Sequence, residues 1–279
     1  MGKVILITGV SSGFGRESAA MLASGGHIVY GTVRRANDAV PGVTHLIMDL
    51  TDHDSIIRAV KEVVEKEGRI DVLVNNAGMH TGGPAETTPE EYFRLQMETS
   101  FTGMVLMTRE VLPVMRASGG GMIINISSIG GLMGLPFQPF YSAAKFAVEG
   151  FSEALRMEVQ SFNIRVVVIN PGDFRTNNSA NRRKYLAPAG EGDPYAGQFT
   201  RSLSIIEQDE ARGQNPARLA RKLARIIESH NPKYRYIVAS PDQKLAVLLR
   251  KLLPAKLFAK ILGSHYGINA RTRGSGDTR

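Results

Sequence analysis

Short apolar runs of strand length alternate along the chain with longer segments whose apolar positions recur every three or four residues. Val4–Thr8, His27–Val33, Thr44–Met48, Asp71–Asn75, Met122–Ser127, Ile164–Asn170 and Tyr234–Ala239 read as strands. Ile164–Asn170 is β-branched and almost continuously apolar, as a strand buried on both faces must be. Between them, Phe14–Ala23, Asp54–Lys66, Pro89–Ala117, Tyr141–Phe162 and Pro216–Ser229 carry helical spacing. The first helix stops at Gly25-Gly26, and the third opens through Thr88-Pro89 with Glu90 and Glu91 in its first turn. This alternation predicts an α/β single-domain Rossmann fold: a doubly wound parallel sheet of about seven strands with helices on both faces.

Two stretches depart from the rhythm. Residues 173–215 separate a strand from a helix and include Asn177-Asn178, Arg182-Arg183-Lys184, Pro188 and Gly190; a connection this long is expected to be a lid over the substrate. Beyond the catalytic domain (residues 1–240), residues 241–268 form a basic amphipathic extension, expected as two short helices broken at Pro254. Three readings stand for it: packing over the substrate entrance, sealing an oligomer contact, or lying on an anionic membrane surface, the first two together outweighing the third. Residues 269–279 are polar and expected to be disordered.

Charge and composition narrow the function classes. Residues 1–200 carry 18 Lys and Arg against 20 Asp and Glu, a balance of −2, whereas residues 201–279 carry 16 against 6, a balance of +10. The excess is therefore confined to the last part, with no aromatic-interleaved basic patch, so nucleic acid is not an expected partner. The 279 residues include no cysteine, which removes disulfides, thiolate nucleophiles and Cys-ligated metals and suits a reducing cytoplasm. The six histidines have no metal-ligand spacing, so no catalytic metal is expected, and most are read as surface or core-edge residues. No run of 18 apolar residues occurs, and the N-terminal MGKVILITG reads as a buried strand rather than a signal peptide.

The candidate chemistry lies at the strand ends. Gly9, Ser11, Ser12, Gly13, Phe14 and Gly15 join the first strand to the first helix, where glycines let the backbone approach a pyrophosphate and a helix N-terminus offers N–H groups to it. Arg34 and Arg35 follow the second strand, where NAD enzymes place an acid; guanidinium groups there favour a 2′-phosphate and hence NADP(H). Asp49-Leu50 and Asn75-Asn76-Ala77-Gly78 follow later strands, Asp49 being placed to accept from an adenine amino group and Asn75 to bridge strands beneath the cofactor. Tyr141 and Lys145, four residues apart, share a helix face; a nearby ammonium lowers a phenol's pKa and makes it a usable acid/base. Ser128, thirteen residues before Tyr141, is placed to hydrogen-bond a substrate oxygen.

T-G-x-x-x-G-x-G, N-N-A-G, Ser128, Y-x-x-x-K and Asn170-Pro171-Gly172 occur in an order that resembles the short-chain dehydrogenase/reductase family over residues 3–240. The resemblance implies that Ser128, Tyr141 and Lys145 are catalytic and that Lys145 also holds the nicotinamide ribose. It further implies that Thr176 contacts the carboxamide, that Pro171 and Gly172 border the nicotinamide, and that the enzyme is a homodimer or homotetramer. One departure is Ser100, three residues before Gly103, where the family carries an Asn supporting a proton relay to the Lys; Ser100 is expected to keep an altered, water-filled relay. Residues 128–137 and 145–151 resemble the branch containing 17-beta-hydroxysteroid dehydrogenase type 1 and the photoreceptor retinol dehydrogenase. That likeness implies a bulky hydrophobic carbonyl or alcohol substrate: a steroid, a retinoid or a keto-lipid. A non-catalytic NADP(H) sensor on the same fold is the rival reading.

Overall fold

Successive residues of a strand point to opposite faces, and all four of β1 (Val4–Ile7) are apolar because both faces are covered. Val4 and Leu6 enter one core layer with Ile56, Val63, Met107, Val111 and Leu155. Ile5 and Ile7 enter the other with Ala19, Leu22, Leu219 and Leu223. The computed structural model, which describes residues 2–35, 39–176, 182, 186 and 192–268, adds β2 (Ile28–Val33), β3 (Val43–Ile47), β4 (Val72–Asn75), β5 (Gly121–Ile126), β6 (Ile164–Pro171) and β7 (Arg235–Val238). They form one sheet in the order β3-β2-β1-β4-β5-β6-β7, parallel at every pairing.

The helices are α1 (Gly13–Ser24), α2 (His53–Glu67), α3 (Glu90–Met97), α4 (Gly103–Ala117), α5 (Pro139–Val159), α6 (Ala196–Ala211), α7 (Ala217–Ile227), α8 (Pro241–Leu252) and α9 (Ala255–His265). α1 and α7 cover one face of the sheet, and α2, α4 and α5 the other. Local signals set their ends: the Asp52 carboxylate accepts from Ser55 N at 3.2 Å at the start of α2, and Gly68 closes it at φ 71°. The chain runs from β1 outward through β2 to β3, then returns to place β4 on the other side of β1. This reversal opens a crevice at the carboxyl ends of β1 and β4, the place where ligands bind in open α/β sheets.

Two expectations are corrected. Pro89–Ala117 is not a regular α-helix throughout: a widened turn of π type, Glu98–Thr102, lies between α3 and α4 within one continuous helical run. Gly103 packs so closely that a Cβ there would lie 2.5 Å from Leu50 O, and the wide turn leaves Ser100 buried. The 173–215 stretch is not a plain loop either, because it contains α6. Its buried side, Phe199, Ser202, Ile206 and Glu210, mixes polar with apolar residues and so hides the helical period. Pro254 separates α8 from α9, whose Val247 and Phe258 form a third small core with Ile129, Met133 and Ala239. Asn177, Asn178, Arg183, Lys184, Pro188, Gly190 and the 269–279 tail lie outside the described residues.

Candidate active site

The crevice has a volume of about 410 Å³. Its wall at the β1–β4 switch is mostly backbone. Thr8 Oγ1 accepts from Asn76 N and Ala77 N, both at 3.0 Å, and Asn76 Nδ2 donates to Thr8 O and Gly9 O, both at 2.9 Å. These bonds hold the two loops together. Gly9 has φ 73°, and a Cβ on it would lie 2.8 Å from the Ala77 methyl, so only glycine fits. Gly15 lies behind the lining, where a Cβ would meet Gly9 O. Ser11, Ser12, Gly13 and Phe14 line the crevice, and the Ser12 side chain makes no capping bond to α1, so the first turn of α1 presents its N–H groups there. This cradle fits a dinucleotide pyrophosphate.

Arg34, Asp49, Leu50, Ala77, Gly78, Pro171, Gly172 and Thr176 also line the crevice, whereas Arg35 does not. Both arginines are exposed, and neither has an ion-pair partner among the described residues. Asp49 Oδ1 accepts from Thr51 N and Thr51 Oγ1 at 2.9 and 2.8 Å, which fixes the carboxylate at the rim. Asn75 bridges β5 and α4, donating to Asn125 Oδ1 at 2.8 Å and Thr108 Oγ1 at 3.0 Å.

At the other end, Pro139 begins α5 and sets Tyr141 in its first turn and Lys145 one turn on. Lys145 Nζ donates to Ile126 O at 2.9 Å and lies 5.9 Å from the centre of the Tyr141 ring. Burial lowers the Lys145 ammonium to about 8, opposed by the charge of Glu149. Loss of solvation raises the Tyr141 phenol to about 12, while a hydrogen bond with Ser128 pulls it down. The expectation that Lys145 lowers the Tyr141 phenol is thus not met, because burial outweighs the nearby groups that favour the phenolate. Ser128 Oγ accepts from Gly130 N at 3.0 Å, and Asn170 Nδ2 donates to Ser128 O at 2.9 Å and to Glu149 Oε1 at 2.6 Å. Arg235 of β7 holds the second Glu149 oxygen at 2.6 Å.

Ser100 lies beneath the crevice rather than on it. Its Oγ accepts from Gln96 Nε2 at 2.8 Å and Met79 N at 3.2 Å. A Cβ on Gly78 would sit 3.4 Å from Ser100 Oγ and 3.9 Å from Lys145 Nζ, so both groups flank this glycine.

Sequence reasoning missed several neighbours of Tyr141. His80, unlike most of the histidines, is buried and stacks on the phenol ring, with centroids 3.8 Å apart and planes 13° from parallel. Its Nε2 contacts Gln138 Oε1 at 2.5 Å, a hydrogen bond made by the tautomer that carries its proton on Nε2. Burial and Arg182 hold this imidazole well below its usual range, hence neutral. Asp173, Asp209, Glu210 and Tyr266 line the same end. Burial, Glu210 and Asp209 push the Asp173 carboxyl up to about 7, while Gln243 Nε2 donates to it at 2.5 Å. The buried Arg182 pairs with Glu210. None of these residues sits in a short motif, so no local pattern singles them out.

Residues 3–187 match the family model for short chain dehydrogenase. Over 266 residues the chain is 46% identical to a 3-ketodihydrosphingosine reductase of Bacteroides thetaiotaomicron, covering 95% of this chain and 98% of that one. An NADPH-dependent 3-dehydrocapnine reductase of Ornithobacterium rhinotracheale is 33% identical over 270 residues, covering 92% and 94%. Among solved structures, a short-chain dehydrogenase from Streptomyces avermitilis superimposes with a TM-score of 0.80 at 31% identity, covering 94% and 96%. Sequence and fold thus agree over nearly the whole length: the chain belongs to the short-chain dehydrogenase/reductase family of NAD(P)-dependent oxidoreductases.

Proposed function

We propose that this enzyme is an NADPH-dependent reductase of a long-chain keto-lipid, of the kind in which an amine neighbours the ketone. One observation carries the reading: the Tyr141 phenol stands beside Ser128 and Lys145 in the same crevice whose other end fits a dinucleotide. The names of two relatives support the substrate class, since 3-ketodihydrosphingosine is a long-chain 2-amino-3-ketone. Of the carboxylates at the Tyr141 end, Glu210 is paired with Arg182 and Asp209 with His265, while Asp173, once ionised above about 7, suits a substrate bearing a cation.

NADPH, when bound, supplies the hydride. Gly9, Ser11, Ser12, Gly13 and Phe14 would hold its pyrophosphate, with Gly15 allowing the loop to close. Arg34, with Arg35 behind it, would pair with the 2′-phosphate. Asp49 and Leu50 would border the adenine, Asn76, Ala77 and Gly78 the ribose side, and Pro171, Gly172 and Thr176 the nicotinamide. Tyr141 donates its proton to the carbonyl oxygen, and Ser128 Oγ hydrogen-bonds the same oxygen as charge grows there. Lys145, charged below about 8, stabilises the phenolate left behind. Ser100, held by Gln96, would relay protons toward Lys145 only through a water lodged beside Gly78. α6 closes the crevice as a lid, and exposed Phe146 and Met157 on α5 suit a contact between copies. The cysteine-free chain suits the cytoplasm.

Initial rates of NADPH oxidation against a long-chain 2-amino-3-ketone, a ketosteroid and retinal test this reading. The amino ketone should have the highest kcat/KM; tight NADPH binding with no turnover of any ketone would hand the chain to the sensor reading.

A further inference from the structure

The inner sides of α8 and α9 are accounted for by Val247 and Phe258 in the third core. Their outer sides are not. Leu245, Leu248 and Leu252, spaced three and four residues apart, form one exposed stripe on α8, and Leu257 and Ile261 form another on α9, each residue 46–69% exposed. At 100° per residue, Lys244 and Lys251 fall along one flank of the first stripe, and Lys256 and Lys260 along one flank of the second. None of these four lysines has an ion-pair partner among the described residues. Residues 241–268 hold five Lys and Arg against the single carboxylate of Asp242.

We propose that this outer face docks flat on an anionic lipid bilayer. Apolar stripes flanked by lysines are the composition of a helix lying in the plane of a membrane interface. A contact between two copies of the face would instead bring like charges together. No helix among the described residues is long and apolar enough to cross the membrane, so the attachment is peripheral. The same two helices pack behind the substrate end of the crevice: Tyr266, directly after α9, lines it, and Ile129 and Leu135 belong both to its lining and to the third cluster. Docking therefore sets that end of the crevice one helix layer from the lipid surface. Its use in collecting a lipid ketone rests on the function proposed above; the docking itself does not.

The test is sedimentation of the full chain with vesicles of phosphatidylcholine alone or mixed with phosphatidylglycerol. Binding to the mixed vesicles should be at least about tenfold tighter than to the neutral ones and weaken as salt is raised. Lys251→Glu with Lys256→Glu should weaken it by about tenfold or more, and Leu248→Ser with Leu252→Ser should also release the protein. Both pairs are exposed, so unchanged thermal unfolding and unchanged turnover of a short, water-soluble ketone should accompany the loss. Absence of sedimentation with anionic vesicles at low salt overturns the proposal, as does binding that both variants retain. A mass that halves in light scattering for the leucine variant, without vesicle binding in the parent, reassigns the face to a contact between copies. If the lipid substrate is wrong but the docking right, vesicle binding survives without keto-lipid turnover; in the reverse case, detergent-dispersed keto-lipid is still reduced.

Discussion

At its β1–β4 end the crevice presents a ligand mainly with backbone: the Gly9 to Gly13 turn, the first turn of α1, and Ala77 and Gly78. At the Tyr141 end it presents side chains drawn from separate stretches, His80, Gln138, Asp173, Glu210 and Tyr266. A surface of backbone needs small residues at fixed offsets and is rigid once the loops are tied. A surface of side chains depends on which charges and rings the tertiary fold brings together. On the function proposed above, the first end takes a cofactor common to a whole family, and the second sets which ketone is reduced.

The largest effect that separates the two ends is expected from Tyr141→Phe. It removes one hydroxyl at the substrate end, so kcat should fall about a thousandfold while NADPH affinity, read by fluorescence titration, stays unchanged. Arg34→Ala is the reciprocal break. Loss of charge-assisted hydrogen bonds should raise KM for NADPH by about 10- to 100-fold and leave the constants for NADH nearly unmoved. Equal effects on the two cofactors would contradict the 2′-phosphate assignment.

Asp173→Asn sharpens the account of the substrate end. Its folded-state pKa is raised to about 7 from 3.8, so between these values the folded protein holds a proton that the unfolded chain releases. The contribution of Asp173 to stability is therefore present at the acid end of that window and is lost as pH rises through 7. Urea unfolding at about pH 5 and about pH 8 should show a smaller decline for Asp173→Asn than for the parent. The same variant should weaken binding of an amino ketone above pH 7 and spare a ketone without the amine.

The smallest effect is expected at Ser100. Ser100→Asn lengthens the side chain toward Lys145 and disturbs its bonds with Gln96 and Met79, worth about 1 kcal/mol. It should move the pH profile of kcat more than kcat itself. Identical profiles in parent and variant would remove Ser100 from any relay.

The same contrast explains what was legible in the sequence. The seven strands follow from period-two and continuous apolar runs, and the glycine loop and Tyr141/Lys145 pair follow from fixed spacing. The π-type turn at Glu98–Thr102 was not legible, because one extra residue leaves the apolar pattern of α3 and α4 intact on either side. α6 was hidden because its inner face carries Ser202 and Glu210, whose partners are Tyr266 O and Arg182. The His80 stack on Tyr141 spans 61 positions, a juxtaposition that no local pattern encodes.

The most direct measurement follows the hydride. Incubation with a long-chain 2-amino-3-ketone and NADPH deuterated at the transferring position, followed by mass spectrometry of the lipid, reads the reaction at the carbon concerned. The account predicts a product alcohol carrying one deuterium at the former carbonyl carbon, formed by the parent and nearly absent with Tyr141→Phe. An unlabelled lipid recovered from a parent enzyme that binds NADPH would contradict it.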